Sequence, residues 1–344
     1  MINQIIENNF ISSLTNNFLR SPIQFNKLHE SDAEIIKVSY IPENFLAVTT
    51  DSIAEEIKSG LYSDPYLIGW MSVMVNMSDL AAVGAKPLGI LLSEIFPPDF
   101  SKKDLKELQC GIQNACMKCS TFVLGGDTNT GNDLIITGTA IGILENRKFV
   151  TRSGCRPDDI LYSTGNLGRG NAFAVSRFFK HSENAFEYLP EAKLSQGKII
   201  RDFASACMDT SDGVISTLDQ LMRLNNKGFE LNVDWKDKID KDSVKLADSS
   251  SIPVWLLLAG HHGEFELLFT IPSKLENEFL LKAKEINWQP VELGKVIKTA
   301  EIKIPLYSKL VDIDSAKIRN LTSNLEKGMD LYLNSLMKID EEIR

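Results

Sequence analysis

Cysteine and histidine are scarce here, with five and four among 344 residues. An odd handful of cysteines argues against the paired disulfide framework of a secreted domain. Cys116 and Cys119 form a C-x-x-C with Cys110 nearby, yet no second pair or local histidine completes a tetrahedral zinc set. The segment LKELQCGIQNACMKC has amphipathic helical spacing instead, and small thiols suit its inner face. His261-His262 is the only histidine cluster, and no Ser-His-Asp or Cys-His arrangement offers a nucleophile. No apolar run is long enough to span a bilayer. The start, MINQIIENNFISSLTNNF, lacks a basic region, a continuous apolar stretch and a small-residue cleavage site, so a cytoplasmic protein without membrane association is expected. A basic excess is missing too: the net charge is −9 and the lysines and arginines are scattered, which argues against extended nucleic-acid binding.

What is present is a soluble globular composition, 43% hydrophobic and 24% charged, long enough for two domains. The organising stretch runs from Ala47 to Pro87. It opens as a strand ending at Thr49-Thr50-Asp51 and continues into a helix from about Pro65 to Val83. That helix is apolar on almost every side, which places it in the interior. It nevertheless carries Asn76 and Asp79, three apart and so on one face. A buried carboxylate needs a cation or several donors.

Around this stretch, a leading helix is expected over Asn3–Phe18 and a first strand over Ala33–Tyr40. Pro42-Glu43-Asn44 turns that strand into a hairpin with the one ending at Asp51. Strands follow at Pro87–Phe96, through TFVLGGDTN, and at Asp133–Leu144, with Ser101 placed to cap the intervening helix. Arg152-Ser153-Gly154 opens a new section, giving domains of 1–151 and 152–344. There a strand at Asp159–Thr164 enters the G-x-x-G-x-G turn of Gly165 to Gly170, which matches neither the dinucleotide fingerprint nor the P-loop. A helix (Asn171–Phe179), a polar connection (His181–Pro190) and a short helix (Gln196–Phe203) precede a strand ending at Asp209. The next helix, Val214–Leu224, is expected to be capped by Ser211 and Asp212. Strands at Phe229–Val233 and Glu264–Ile271 and a charged helix from Asn320 to Arg344 complete the chain. Alternating helices and strands with hairpin connections indicate an α/β or α+β layer, not a purely parallel sheet.

Asp51, Asp127 and Asp209 each stand at a strand end, Asp79 lies on the interior helix, Asp212 at a helix start, and Asp32 begins the first hairpin. One such aspartate is usually a turn former. Several beside glycines and hydroxyls form a pattern that suits Mg²⁺, which bridges carboxylates to substrate phosphates. Gly125-Gly126 would let backbone amides approach a phosphate, and Ser211 with the following amides offers a second anion site. Phosphoryl transfer asks mainly for positioning and charge neutralisation.

TTD near residue 50, NMSDLAAVGAKPLG, VLGGDTN, TRSGCRPDDILYSTGNLG, CMDTSDGV and GEFELLFTIP occur in order over about residues 30 to 300. Together they resemble the thiamine-monophosphate kinase family of the aminoimidazole-ribonucleotide (AIR) synthetase-like superfamily. The resemblance implies a two-domain α/β (α+β) AIR-synthetase-like fold whose N-terminal sheets pair across a homodimer. It implies ATP and Mg²⁺ as cofactors, with Asp32, Asp51, Asp79, Asp127 and Asp212 metal-associated. It further implies Gly125, Gly126, Asp127, Thr128, Arg152 and Ser211 around the nucleotide, with Asp127 and Asp212 central to catalysis.

Departures cluster on the apparent acceptor side. Ser31 replaces the first of two adjacent acids, Met71 a lysine, and Lys58-Ser59 a His-Phe pair. The family's Gly-Gly-Glu-Asp-Tyr-Glu reads His261-His262-Gly263-Glu264-Phe265-Glu266. Lys58, His262 and Glu264 are therefore candidates for contacting a small phosphate acceptor. Three functions stay open on the sequence: phosphorylation of thiamine monophosphate, ATP-dependent chemistry on another small molecule, and a non-catalytic nucleotide-binding or dimeric scaffold.

Overall fold

The computed structural model of the chain describes residues 5–15, 21–38, 43–178, 186–322 and 329–344. After α1 (Ile6–Thr15), the strands β1 (Glu34–Lys37) and β2 (Phe45–Ser52) pair antiparallel with Ile35 opposite Ala47. Next come α2 (Ala54–Lys58), α3 (Pro65–Ala82), β3 (Lys86–Phe96), α4 (Lys102–Lys118), β4 (Val123–Thr130) and β5 (Ile135–Leu144). β6 (Ile160–Ser163), α5 (Arg169–Phe178), α6 (Leu194–Phe203), β7 (Ala206–Asp209), α7 (Val214–Asn225) and β8 (Gly228–Leu231) follow. The chain then runs through α8 (Lys241–Ser249), α9 (Leu256–Ala259), β9 (Leu267–Ile271), α10 (Glu276–Glu285) and β10 (Val291–Ile297). It closes with β11 (Ile302–Leu306), β12 (Lys309–Asp312), α11 (Ser315–Asn320) and α12 (Met329–Ile343). Among the described residues, no helix is long and apolar enough to cross a membrane.

The elements form two compact units. The five-stranded unit comprises Ile23–Val150 and Leu189–Asp202; the seven-stranded unit comprises Met1–Pro22, Thr151–Tyr188 and Phe203–Arg344. The chain passes between the units at 22/23, 150/151, 188/189 and 202/203, and no spacing in the sequence signals the excursion of 189–202. Its contacts within the five-stranded unit explain it. Trp70 Nε1 donates to the Pro190 carbonyl at 2.7 Å and Arg201 Nη1 to the Gly84 carbonyl at 2.7 Å. Gly197 lies so close that a Cβ would meet the Ala81 carbonyl at 2.1 Å.

In the five-stranded unit the strand order is β1-β2-β5-β3-β4, antiparallel except for β3 with β4. α3 starts where its sequence dictates: Asp64 Oδ1 accepts the Leu67 amide at 2.8 Å and Pro65 takes the first turn. As expected from its apolar surface, it is buried along nearly its whole length, packed on β2, β5 and β3 with α4 on its other side. The two helices approach through reciprocal glycines. A Cβ on Gly69 would meet the Leu108 carbonyl at 1.9 Å, and one on Gly111 the Tyr66 carbonyl at 2.1 Å. α4 is capped by Ser101, whose Oγ accepts the Asp104 amide at 3.1 Å. Cys116 and Cys119 are buried there, and burial pushes their thiols up to about 11 and about 12, so they pack as small protonated hydrophobes.

The seven-stranded sheet has the order β12-β11-β8-β10-β6-β9-β7, with only β11 and β8 parallel. Its core gathers α7 and α9 against the sheet, including Leu218, Leu221, Phe229, Trp235 and Leu268. The mixed pairing in both sheets agrees with the layer expected from the sequence. Local details differ. α7 is not capped by Ser211 or Asp212; its N-cap is Gly213, at φ 85°, without a side-chain bond. The strand expected from Glu264 begins only at Leu267, and Glu264 to Glu266 form an irregular approach to it. The expected closing helix is two helices, α11 and α12, with 323–328 outside the described residues. Outside them also lie 39–42 of the expected hairpin, 181–185 of the polar connection and the ends of the leading helix.

Candidate active site

In the five-stranded unit, the interior helix presents Asn76 and Asp79 to β2. Asn76 Oδ1 accepts the Asp51 amide at 3.1 Å while its Nδ2 donates to the Ser72 carbonyl at 3.1 Å. Gly138 on β5 makes room for it, since a Cβ there would meet Asn76 Nδ2 at 2.4 Å. One turn on, Asp79 Oδ2 accepts the Thr49 hydroxyl at 2.5 Å. Asp32, in the segment before β1, brings a carboxylate oxygen within 4.8 Å of one on Asp79, and both residues are half-buried. Two carboxylates held this close repel one another unless a cation neutralises them, and all-oxygen donors suit a hard divalent ion. The residues fit Mg²⁺.

The expected metal set is not gathered into one place. Asp51 pairs with Gly138, Gly138 with Leu92, and Leu92 with Gly126. Asp51 and the Gly126–Asp127 pair are thus separated by three strand spacings, about 14 Å measured along the sheet. Asp127 stands in register with Ser93, on the exposed face of β3, and its Oδ2 accepts the Asn129 Nδ2 at 2.6 Å. Gly125, Asp127 and Thr128 are exposed along with the rest of β4. Gly126 allows a close approach of β4 to β3, where a Cβ would meet the Leu92 carbonyl at 2.0 Å. Lys58 is exposed at the end of α2.

The seven-stranded unit carries the remaining candidates. Asp209 closes β7, is 1% exposed and accepts the Ser211 hydroxyl at 2.9 Å. Asp212 is more open, and His261 Nε2 lies 4.0 Å from its Oδ1. Arg152 is half-buried, and the segment around it is held by a residue without a motif signal. Asn225, at the end of α7, accepts the Gly154 and Cys155 amides at 2.7 and 3.2 Å and donates to the Arg152 carbonyl at 2.9 Å.

The segment 260–266 is fixed from several sides. Gly263 donates its amide to the Ser211 carbonyl at 2.9 Å, and a Cβ at 263 would fall 1.4 Å from the Thr210 carbonyl oxygen. No side chain fits there. Asn171 Oδ1 accepts the His262 amide at 3.2 Å and Asn171 Nδ2 donates to the Gly260 carbonyl at 3.1 Å. His262 is 8% exposed, beside the stacked rings of Tyr188 and Phe173 at 5.3 and 6.1 Å, and burial followed by the charge of His261 pushes its pKa down to about 3. Glu264 is buried, and its Oε2 accepts the Gly168 and Gly170 amides at 3.0 and 3.3 Å, at the start of α5. Glu266 Oε2 accepts the Thr164 hydroxyl at 2.5 Å, whose oxygen in turn accepts the Leu267 amide at 2.8 Å. Thus His262 and Glu264 lie within the supporting structure, and His261 is the more exposed imidazole. Thr49, Asn171, Thr164 and Asn225 are polar partners that the sequence does not single out.

The chain has known counterparts. The family model described as AIR synthase related protein, N-terminal domain, matches residues 30–144. The chain is 31% identical over 280 residues to thiamine-monophosphate kinase of Buchnera aphidicola subsp. Acyrthosiphon pisum, covering 76% of this chain and 84% of that one. With thiamine-monophosphate kinase of Methanocaldococcus jannaschii it shares 31% over 293 residues, covering 79% and 87%. AaThiL complexed with AMPPCP and TMP shares the fold, with TM-score 0.72, 21% identity and coverage of 91% and 98%. So does E. coli HypE, a hydrogenase maturation protein, with TM-score 0.68, 17% identity and coverage of 90% and 97%. Identity of this level over most of both chains, together with the ordered motifs, shows that the chain belongs to the thiamine-monophosphate kinase family, with the AIR-synthetase-like fold.

Proposed function

We propose that the protein is an ATP- and Mg²⁺-dependent kinase that converts thiamine monophosphate to thiamine diphosphate. Family membership supports the reaction class. The observation within the molecule that carries the reading is the half-buried Asp32–Asp79 pair, with oxygens within 4.8 Å, braced by Thr49. In the reaction, an oxygen of the acceptor's phosphate forms a bond to the γ-phosphorus of ATP while the bond to the β–γ bridging oxygen breaks, and ADP leaves. The nucleophile is already anionic, so no strong general base is required, in keeping with the absence of a motif for one. Positioning and charge neutralisation carry such transfers. Bound Mg²⁺ would supply neutralisation of the phosphate oxygens, with Asp32, Asp79 and Asp51 as its candidate holders on the five-stranded unit; on the seven-stranded unit Asp212 is a candidate holder taken by itself. Asp127 and Thr128, with Gly125 and Gly126, would flank nucleotide phosphates, and Arg152 would supply a guanidinium for the same group.

We further propose that the protein is a homodimer. β4 is exposed along its whole length at the edge of its sheet, preceded by Phe122 at 72% exposure and including Leu124 at 55%. An open apolar edge invites pairing with another strand, and a second copy offers a matching one. Sedimentation at micromolar concentration should give twice the chain mass, and a Leu124→Lys variant should give the monomer; a monomeric wild-type protein would refute the dimer. For the reaction, thiamine diphosphate formation in Mg²⁺-ATP should stop on chelation by EDTA. Product formed without divalent metal, or none with it, would overturn the kinase reading.

A further inference from the structure

We infer that His261 donates a hydrogen bond to a phosphate oxygen of a bound substrate, a role that rests on the kinase reading above. The residues flanking it are already committed. The single hydroxyl proton of Ser211, the residue expected to hold phosphate, goes to Asp209 Oδ1 at 2.9 Å. His262 is buried and its amide is taken by Asn171 at 3.2 Å. His261 differs: its side chain is 32% exposed and its Nε2 points to within 4.0 Å of Asp212 Oδ1, too far for a hydrogen bond between them. Its Nδ1 is shielded from solvent and has no hydrogen-bond partner among the described residues. Nε2, beside the Asp212 carboxylate, is therefore the ring nitrogen open to a ligand.

The turn that bears the ring is fixed as well. It is tied by the Gly263 amide to the Ser211 carbonyl at 2.9 Å, and by the Tyr188 hydroxyl to the Gly263 carbonyl at 2.8 Å. A donor on a fixed turn next to a carboxylate suits an anion that arrives with its metal: the carboxylate takes the cation and the imidazole the phosphate oxygen. The phosphate belongs either to the acceptor monophosphate or to ATP, and the two are separable by experiment.

Calorimetric titration of wild-type protein, His261→Ala and His261→Gln with thiamine monophosphate and with Mg²⁺-ATP, each alone, tests this. His261→Ala is expected to bind one of the two about tenfold more weakly and the other as before, with an unchanged melting temperature. His261→Gln, which keeps a side-chain N–H, is expected to recover most of the loss. Selective weakening for the monophosphate assigns the acceptor, and for ATP the nucleotide. Unchanged affinity for both ligands in folded His261→Ala overturns the role, as does equal weakening of both or failure of the glutamine to rescue. Wild-type turnover of thiamine monophosphate with unaltered affinities in His261→Ala would remove the His261 contact alone. Wild-type binding without turnover would remove the kinase reading and leave the affinity comparison intact. If His261→Ala fails to fold, the glutamine variant decides: retained affinity supports the donor, and a tenfold loss for both ligands overturns it.

Discussion

Thr49 Oγ1 donates to Asp79 Oδ2 at 2.5 Å, joining β2 to the last turn of the interior helix. The bond orients the carboxylate that faces Asp32. Thr49→Val keeps the branched shape of the strand residue and removes the donor. Partners that orient metal ligands typically contribute about 10–100-fold in metal affinity. Mg²⁺ titration of the valine variant in the presence of ATP should show about a tenfold weaker midpoint, with the far-ultraviolet circular dichroism unchanged. An unaltered midpoint would remove Asp79 from the metal site.

Gly263 is fixed by space. With a Cβ placed 1.4 Å from the Thr210 carbonyl oxygen, Gly263→Ala must push the turn away from the 209–212 segment and break its bond to Ser211. Overpacking of this kind costs about 1–3 kcal/mol or more. Urea denaturation should show the loss, and Gly263→Glu, which restores the acid of the motif, should be no more stable than the alanine variant.

His262 gives the fold an acid-sensitive component. Its pKa lies near 3 in the folded protein because burial disfavours the charged ring, against about 6.5 when unfolded. The unfolded state therefore binds the extra proton first. The contribution is fully present above pH 6.5 and is lost as pH falls toward 3, at up to about 1.4 kcal/mol per pH unit. In His262→Phe, the slope of unfolding free energy between pH 6 and 4 should be shallower than in wild type. Equal slopes would contradict the buried neutral ring.

A buried ionic group secures the C-terminal end of the seven-stranded unit. Asp219, fully buried on α7, accepts from Arg223 Nε at 2.8 Å, Arg319 Nη1 at 3.0 Å and the Ser315 hydroxyl at 2.6 Å. Asp219→Ala removes the shared carboxylate from two arginines that are each less than a tenth exposed. Breaking a buried pair from one side costs about 3–5 kcal/mol. Chemical denaturation should show a loss of that size; a change below 1 kcal/mol would mean that the arginines find solvent.

Much of this was legible in the sequence, for physical reasons that differ by element. The interior helix announced itself by apolar residues all round, with its start near Pro65, and the capping of α4 by Ser101 followed from local spacing. The acids were visible as residue types, but their grouping was not. That grouping depends on strand register, which sets Asp127 three strands from Asp51 and turns it to the exposed face. Likewise, a motif places His262 and Glu264 in a promising segment, whereas only packing reveals that Asn171, Tyr188 and the α5 amides have already claimed them. The departure of Leu189–Asp202 to the other unit rests on single contacts, Gly197 against Ala81 among them, and no periodicity encodes it.

The central claim is transfer of the γ-phosphoryl group of ATP to thiamine monophosphate. Phosphorus magnetic resonance of the purified protein with Mg²⁺-ATP and thiamine monophosphate follows donor and acceptor in one sample. The account expects the monophosphate singlet to be replaced by the paired diphosphate signals of thiamine diphosphate, in one-to-one step with ADP. ADP accompanied by inorganic phosphate, or spectra that do not change while both ligands are bound, would contradict it.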